Sequence, residues 1–171
     1  MPDPDAFDDF YLATRELTLR QLTAMTADRE LAADVVQEAY ERAWRRWRRV
    51  STLEQPQAWV RTVAWRAAVS HYRRTTVARR LLPQVAQRST AGEPASDERL
   101  DVEDALRALA PERRRALVLH DLCGLTVAEV AVETGVAEGT VKSRLSRARA
   151  QLAEALESGY ASDLPDGGRI R

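Results

Sequence analysis

Residues 126–153, TVAEVAVETGVAEGTVKSRLSRARAQLA, contain two helical patterns separated by a glycine. Thr126 and Glu129 have the spacing of a capping box, in which each side chain accepts a backbone N–H from the other residue. Gly135 suits the end of this helix, because a residue without a Cβ adopts a left-handed backbone at little cost. A second helix is expected from about Glu138. The stretch therefore predicts a helix-turn-helix.

The second helix of this pair has one apolar face and one basic face. At 100° per residue, its apolar positions form a single stripe that we expect to be buried: Val141, Leu145, Ala148 and Leu152. The face expected to point outward consists of Gly139, Ser143, Ser146, Arg147 and Ala150. Residues 142–150 hold four cations and no carboxylate, which is typical of a surface that approaches DNA. The alternative is an ordinary helical hairpin with a basic rim.

The charge of the chain is zero in total but unevenly distributed. Among 171 residues, 26 Lys and Arg balance 26 Asp and Glu. Residues 38–80 nevertheless carry eleven Arg against three Glu, whereas residues 1–37 carry three Arg against eight carboxylates. The basic block should attract phosphate groups, and its binding should weaken steeply as salt is added.

Composition restricts both fold and function. Seven Gly and seven Pro in a chain that is 44% apolar favour a mostly helical protein of one or two small domains. No run approaches the roughly 20 apolar residues that a membrane span needs, and the acidic start is unlike a signal peptide. We therefore expect a cytoplasmic protein without membrane insertion. Cys123 and two distant histidines, His71 and His120, provide no metal-ligand spacing, so no metal or cofactor is expected.

Residues 56–74, PQAWVRTVAWRAAVSHYRR, interleave aromatic and cationic side chains along one predicted helix, which Pro56 opens. Aromatic faces stack on unpaired bases and guanidinium groups bind the backbone, so the pattern suits single-stranded DNA. The residues that carry it are Trp59, Arg61, Trp65, Arg66, Tyr72, Arg73 and Arg74. An alternative stays open, in which Trp65 and Tyr72 are buried against another helix.

Three segments in order resemble those of extracytoplasmic-function (ECF) sigma factors of the sigma-70 family, in their actinobacterial form. They are AADVVQEAYERAWRRW (residues 32–47), PQAWVRTVAWRAAVSHYRR (56–74) and LRALAPERRRALVLHDLCGLTVAEVAVETGVAEGTVKSRLSRARAQL (106–152). The resemblance implies an all-α fold of two small helical domains joined by a flexible linker. It implies a sigma-2 domain at 4–80, a linker at 81–97, a sigma-4 domain with the helix-turn-helix at 98–157, and a disordered tail at 158–171.

The resemblance also implies a function. Members of the family bind core RNA polymerase and direct promoter recognition, promoter melting and transcription initiation, without being enzymes. Asp34, Gln37 and Glu38 match the motif that docks on the clamp helices of the largest polymerase subunit. Leu106, Leu109 and Leu117 match residues that form an apolar groove for the flap of the second-largest subunit. They serve equally well as core residues. An anti-sigma factor is a further partner to consider, because free sigma factor must be kept off the polymerase.

The resemblance assigns DNA contacts in the same way. The promoter-melting segment, which contacts the minus-10 element, is matched by Arg61, Trp65, Arg66, Arg73 and Arg74. The residues that face the minus-35 element are matched by Lys142, Ser143, Arg144, Ser146, Arg147 and Arg149. Of these, Arg144 and Arg149 are expected on phosphates. Arg66 departs from the family pattern, which often has Asn there, and an Arg only donates hydrogen bonds. The base preference at that position stays open.

Two other functions are compatible with parts of the sequence. A regulator of the LuxR type ends in a similar helix-turn-helix, but it would lack the DVVQE segment at 34–38 and the aromatic, Arg-rich helix at 56–74. A nucleic-acid enzyme needs clustered carboxylates, a glycine-rich phosphate loop or a Cys/His pair, and the sequence contains none of these. The sequence therefore favours a sigma factor.

Overall fold

Helices make up all the regular structure in residues 4–81 and 97–162, the part of the chain that the computed structural model describes. No β strand occurs in these ranges, so the predicted all-α class is confirmed. The chain divides into two units, Met1–Gly92 and Glu93–Arg171. Each unit has its own helices and its own buried core.

Four helices build the first unit in its described range. They are α1 (Pro4–Thr26), α2 (Arg29–Arg45), the short α3 (Trp47–Val50) and α4 (Pro56–Leu81). Asp28 starts α2, because its side chain accepts a hydrogen bond from the backbone N–H of Leu31 at 3.0 Å. Ala27 has a left-handed backbone with a φ of 53°, and this residue turns the chain between α1 and α2.

The core of the first unit lies between α1, α2 and α4. Helix α2 contributes a stripe of buried residues at helical spacing: Leu31, Ala32, Val35, Val36, Ala39 and Ala43. Helix α4 contributes Val60, Ala64 and Ala68, which recur every four residues on one face. The opposite face of each helix is left for solvent or partners.

Aromatic rings join the start of α1 to the junction between α2 and α3. The ring of Phe7 lies 5.0 Å from that of Trp44 and 5.2 Å from that of Trp47, measured between centroids. Phe10 adds a contact to Trp47 at 5.1 Å. Such pairs contribute about 0.5–1.5 kcal/mol each beyond the area they bury. The cluster therefore fixes where α2 ends.

Hydrogen bonds join α1 both to α2 and to α4. The hydroxyl oxygens of Tyr40 and Thr18 lie 3.1 Å apart, and Gln57 at the start of α4 donates to Thr18 at 3.4 Å. Further along α4, Tyr72 donates to the carbonyl of Thr26 at 2.8 Å. Leaving a buried polar group unsatisfied costs about 1–3 kcal/mol. These bonds therefore oppose any sliding of α4 along its axis.

The second unit contains α5 (Asp97–Ala108), α6 (Pro111–Leu117), α7 (Val127–Thr134) and α8 (Glu138–Ser162). A π-helical turn, Val118–Leu122, continues α6, and Gly124 comes after it with a φ of 70°. Pro111 occupies the first turn of α6, where its missing N–H costs no helical hydrogen bond. The described core of this unit consists of Ala105, Leu109, Ala116, Leu117, Val118, Leu119, Val130, Val141, Leu145 and Ala148.

The predicted helix-turn-helix is confirmed. The Thr126 hydroxyl accepts from the N–H of Glu129 at 3.2 Å, and the Glu129 carboxylate accepts from the N–H of Thr126 at 2.7 Å. Gly135 ends α7 in the left-handed conformation, with a φ of 71°. Helix α8 begins at Glu138. The predicted stripe is buried at Val141, Leu145 and Ala148 and half-buried at Leu152.

Helix α8 extends beyond the predicted end of the second domain. It continues to Ser162, so residues 158–162 are helical although the tail was expected to begin at 158. The Ala, Leu and Glu residues just before this stretch favour helix. The linker predicted at 81–97 lies outside the described residues except at Leu81 and Asp97, which belong to α4 and α5.

The π turn allows a matched test of packing. Leu119 is fully buried and Leu122 is 63% exposed, although both belong to this turn. We expect Leu119→Ala to lower the free energy of unfolding by about 2–5 kcal/mol, because it leaves a cavity. Leu122→Ala should change it by less than about 0.5 kcal/mol. Urea unfolding of the full chain monitored by circular dichroism measures both, and equal destabilisation contradicts this packing.

Candidate nucleic-acid interface

The outer face of α8 is exposed as predicted. Its exposed residues are Gly139, Lys142, Ser143, Ser146, Arg147, Arg149 and Ala150. Arg144 is half-buried beside them. Between residues 139 and 150 the helix has no carboxylate, and the side chains between the cations are small. Such a face allows a groove wall to approach while the cations meet phosphates or base edges.

Arg149 has an internal partner that no sequence spacing indicated. Its Nη2 lies 2.6 Å from Oδ1 of Asp121, and its Nε donates to Oδ2 at 3.3 Å. The hydrogen bonds and charge of Asp121 raise the pKa of Arg149. Asp121 belongs to the π turn, so only the folded chain brings the two groups together. The contact uses one edge of the guanidinium, and the other edge keeps the two Nη1 donors for a phosphate.

The structure divides the predicted minus-10 residues of α4 into two groups. The exposed group is Arg66, Arg73 and Arg74. Arg61 and Trp65 are only 5% and 6% exposed and belong to the core. Nη1 of Arg61 donates to Oε1 of Gln21 in α1 at 3.3 Å. In this structure Arg61 and Trp65 therefore offer no open surface to DNA.

Helical spacing explains why these two side chains are buried. Arg61, Trp65, Ala68 and Tyr72 recur at intervals of three or four residues, beside the stripe that begins at Val60. They widen the buried face of α4, and Tyr72 is half-buried. The alternative that Trp65 and Tyr72 pack against another helix is thus the one that the structure shows.

The three polar residues predicted to bind polymerase lie on α2. Asp34, Gln37 and Glu38 are all exposed and are spaced so that they share one face. Glu38 pairs with Arg42 one turn later, and Gln37 donates to Glu41 at 3.4 Å. Both contacts are at the surface, where they contribute little stability, so a partner can replace them.

The three leucines predicted for the flap groove differ in exposure. Leu109 and Leu117 are 3% and 5% exposed and lie in the core of the second unit. Leu106 is half-buried. The alternative that these leucines serve as core holds for Leu109 and Leu117, which leaves Leu106 as the accessible member of the set.

Four further arginines received no individual role from the sequence. Arg45, Arg46, Arg48 and Arg49 are exposed where α2 meets α3, and they are called the arginine surface below. Together with Trp44 and Trp47 they line a cleft of about 390 Å³. The basic block at 38–80 was the only sequence signal for them, because no periodic spacing distinguishes them from other surface arginines.

The described residues contain neither a metal site nor a membrane-spanning helix. Within residues 4–81 and 97–162, no group of three or more His, Cys, Asp or Glu side chains is arranged to hold a metal ion. No helix in the same ranges is long and apolar enough to cross a membrane. Cys123 is half-buried and has no disulfide.

Two family models match the chain, one over each unit. The model of sigma-70 region 2 matches residues 10–86, and the model of sigma-70 region 4 matches residues 99–152. Two helical units, the second with a helix-turn-helix, together with these matches define a protein of the sigma-70 family. The alternative of a LuxR-type regulator is not supported, since the first unit matches region 2.

Individual relatives define the group within that family. The chain is 35% identical over 133 residues to the ECF RNA polymerase sigma factor SigL of Mycobacterium tuberculosis, a match that covers 74% of this chain and 75% of SigL. It is 29% identical over 157 residues to the RNA polymerase sigma-E factor of Streptomyces avermitilis, covering 89% of this chain and 86% of that protein. The chain belongs to the ECF sigma factors. It is therefore a subunit that binds RNA polymerase and directs promoter recognition, and such factors are in general not enzymes.

A solved structure agrees with this assignment. The fold is similar to that of the sigma factor RpoE from Bartonella quintana, solved in complex with the anti-sigma factor NepR. The TM-score is 0.79 at 26% identity, and the match covers 89% of this chain and 97% of that chain.

The capping box makes the stability of the helix-turn-helix depend on pH. The backbone N–H and the hydroxyl of Thr126 donate to the Glu129 carboxylate and lower its pKa below the usual 4.5. When the pKa of a carboxylate is lower in the folded state than in the unfolded state, the carboxylate stabilises the fold at pH values above its unfolded-state pKa. This stability is lost as the pH falls through the folded-state pKa.

We therefore expect Glu129→Gln to lose less stability than the wild type between about pH 6 and pH 3. Thr126→Ala keeps the backbone donor and loses the hydroxyl, so its pH dependence should be intermediate. Thermal unfolding of the full chain at several pH values measures all three. The same pH dependence in the wild type and Glu129→Gln contradicts the role of this carboxylate.

Proposed function

We propose that three exposed surfaces share the work of this sigma factor. The outer face of α8 binds the minus-35 element, the exposed arginines of α4 bind the minus-10 element, and the polar face of α2 binds core polymerase. The observation that carries the proposal is the outer face of α8, because its cations, small residues and lack of carboxylates fit a DNA groove. The two other surfaces are supported by their exposure and by their match to the family segments.

At the minus-35 element, we assign base contacts and phosphate contacts to different residues. Lys142, Ser143, Ser146 and Arg147 lie on the exposed face and reach base edges in the major groove. Arg144 and Arg149 flank that face and bind phosphates. A bidentate contact from an arginine to guanine contributes about 1–3 kcal/mol of discrimination, so Arg147 is the strongest candidate for specificity.

At the minus-10 element, we assign direct contacts to Arg66, Arg73 and Arg74. Arg61 and Trp65 act through the position of α4, because both are buried and Arg61 donates to Gln21 of α1. Arg66 only donates hydrogen bonds, so the group that it meets must offer acceptors, as phosphates and guanine do. The base preference at this position consequently differs from that of a family member with Asn.

Core polymerase is the protein partner in this proposal. Asp34, Gln37 and Glu38 contact the clamp helices of the largest subunit, and Leu106 contributes to the contact with the flap of the second-largest subunit. An anti-sigma factor is a further partner, supported by the relative that was solved with NepR. The protein acts in the cytoplasm, needs no cofactor and catalyses no reaction itself.

The polymerase surface is tested by reversing its charge. Asp34→Arg with Glu38→Arg should weaken the binding of core polymerase at least tenfold, because like charges then face the partner and repel it. Binding is measured by biolayer interferometry with the full chain, and circular dichroism checks that it stays helical. Asp9→Arg with Glu16→Arg makes the same charge change on the exposed side of α1 and should have little effect. Unchanged binding by the first variant removes the assignment.

The minus-35 surface is tested by separating base contacts from phosphate contacts. Ser143→Ala with Arg147→Ala should reduce discrimination between the preferred and a scrambled upstream element by roughly ten- to a hundredfold. Arg149→Ala should instead weaken binding equally on both sequences. It should also lower the slope of log K against log salt by about one, the change expected for one lost phosphate contact. Competition binding of holoenzyme to promoter fragments measures both. Retained discrimination in the Ser143/Arg147 variant contradicts base contact by α8.

The minus-10 surface is tested by strand opening. Replacing Arg66, Arg73 and Arg74 by Gln should reduce promoter opening more than duplex binding, because these cations hold the separated strand. Permanganate footprinting on a promoter found by transcript mapping measures opening. Replacing the exposed Arg20 and Arg29 by Gln provides a control elsewhere in the same unit. Normal opening by the triple variant shows that the strand is held elsewhere.

A further inference from the structure

We infer that the arginine surface, Arg45, Arg46, Arg48 and Arg49, binds the phosphate backbone of duplex DNA without reading its sequence. The inference rests on the proposed function, because it adds a second DNA-binding surface to the unit that contains α4. The four arginines lie in the chain between the residues proposed to bind polymerase on α2 and those proposed to bind DNA on α4. They belong to neither of these two surfaces.

The positive charge of the arginine surface is largely uncompensated. Within residues 4–75, no carboxylate lies within 4.0 Å of the guanidinium groups of Arg46, Arg48 or Arg49, and Arg45 has only a 3.9 Å contact to Glu41. The neighbouring Arg42, by contrast, pairs with Glu38. Adjacent cations without counterions attract a polyanion strongly.

The break between α2 and α3 gathers these charges. Six consecutive residues of a straight helix would point all around its axis, at 100° intervals. Here α2 ends at Arg45. The next residue, Arg46, has a φ of −120° and a ψ of 17°, which are not helical, and α3 begins directly after it with Trp47. All six residues from 44 to 49 consequently line one cleft. The break converts a dispersed run of arginines into a common surface.

The aromatic rings of the cleft are occupied by contacts within the protein. Both indoles are engaged by α1, since Trp44 packs against Phe7 and Trp47 packs against Phe7 and Phe10. Trp47 is only 6% exposed. The cleft therefore offers guanidinium donors and little free aromatic face, which suits phosphates and not the stacking of unpaired bases.

The position of the arginine surface favours DNA over an acidic protein as its ligand. Only residues 51–55 separate α3 from α4, so in the chain the arginine surface comes shortly before the helix that carries Arg66, Arg73 and Arg74. Duplex DNA also carries one charge per about 1.7 Å of axis, a density that several neighbouring guanidinium groups match.

The test compares salt dependence. The full chain and the variant Arg46→Gln/Arg48→Gln/Arg49→Gln are titrated onto fluorescent duplexes of two unrelated sequences, with anisotropy as the readout, from about 50 to 200 mM NaCl. Three lost phosphate contacts should lower the slope of log K against log salt by about 2.7. The wild type then loses about 40-fold more affinity than the variant over this range. The difference should be the same on both duplexes.

Two further variants make the outcome specific. Arg15→Gln/Arg20→Gln/Arg29→Gln removes three exposed cations elsewhere in the first unit and should change the slope by less than about one. Arg73→Gln/Arg74→Gln reports on α4. If this variant lowers the affinity and the arginine-surface variant does not, the inference is wrong and the proposed role of α4 stands. If the reverse holds, the arginine surface stands as a duplex-binding surface, and the role of α4 in holding the separated strand is judged by promoter opening alone.

Other results also overturn the inference. These are an unchanged slope in a variant that circular dichroism shows to be folded, an effect confined to one duplex sequence or to single-stranded DNA, and no duplex binding by the wild type at about 50 mM NaCl. A loss that appears only in binding to core polymerase assigns the surface to a protein partner instead.

Discussion

Packing of α4 against α1 and α2 decides which side chains of this helix are exposed. The stripe from Val60 to Ala68 buries one side of the helix, and bonds from Gln57 at its start and from Tyr72 further along tie it to α1. A helix fixed in this way presents Arg66, Arg73 and Arg74 at constant positions. Under the proposed function, such a rigid support means that little of the energy of binding the strand is spent on ordering the protein.

The sequence predicted those parts of the structure that depend on local chemistry. The Thr126 capping box, the left-handed Gly135 and the apolar stripe of α8 each result from spacing within one or two turns, and all three are present. The spacing along α4 left the burial of Trp65 open, and it did not identify Gln21 as the partner of Arg61, which lies 40 positions away in sequence. The pair of Asp121 and Arg149 spans 28 positions in sequence, and no periodicity reports such a contact.

Arginine has two different roles in this protein, and sequence runs do not separate them. In the run Arg113–Arg115, Arg114 and Arg115 are 4% and 8% exposed. Arg114 donates to the carbonyl of Leu106, and Arg115 donates to the carbonyl of Glu133. These carbonyls lie in the last turns of α5 and α7, where backbone acceptors lack helical partners and a cation is favourable. The buried arginines thus hold the ends of two helices, whereas the exposed ones are available to DNA.

The π turn after α6 determines the direction in which the side chains between α6 and α7 point. The N–H of Cys123 bonds to the carbonyl of Val118, five residues earlier, so the turn accommodates one residue more than an α-helical turn. Each residue advances a helix by about 100°. Deleting one residue here would rotate the side chain of Asp121 away from Arg149 and misalign the chain as it enters α7. Any sequence that replaces this turn must therefore keep its length, whatever its hydrophobicity.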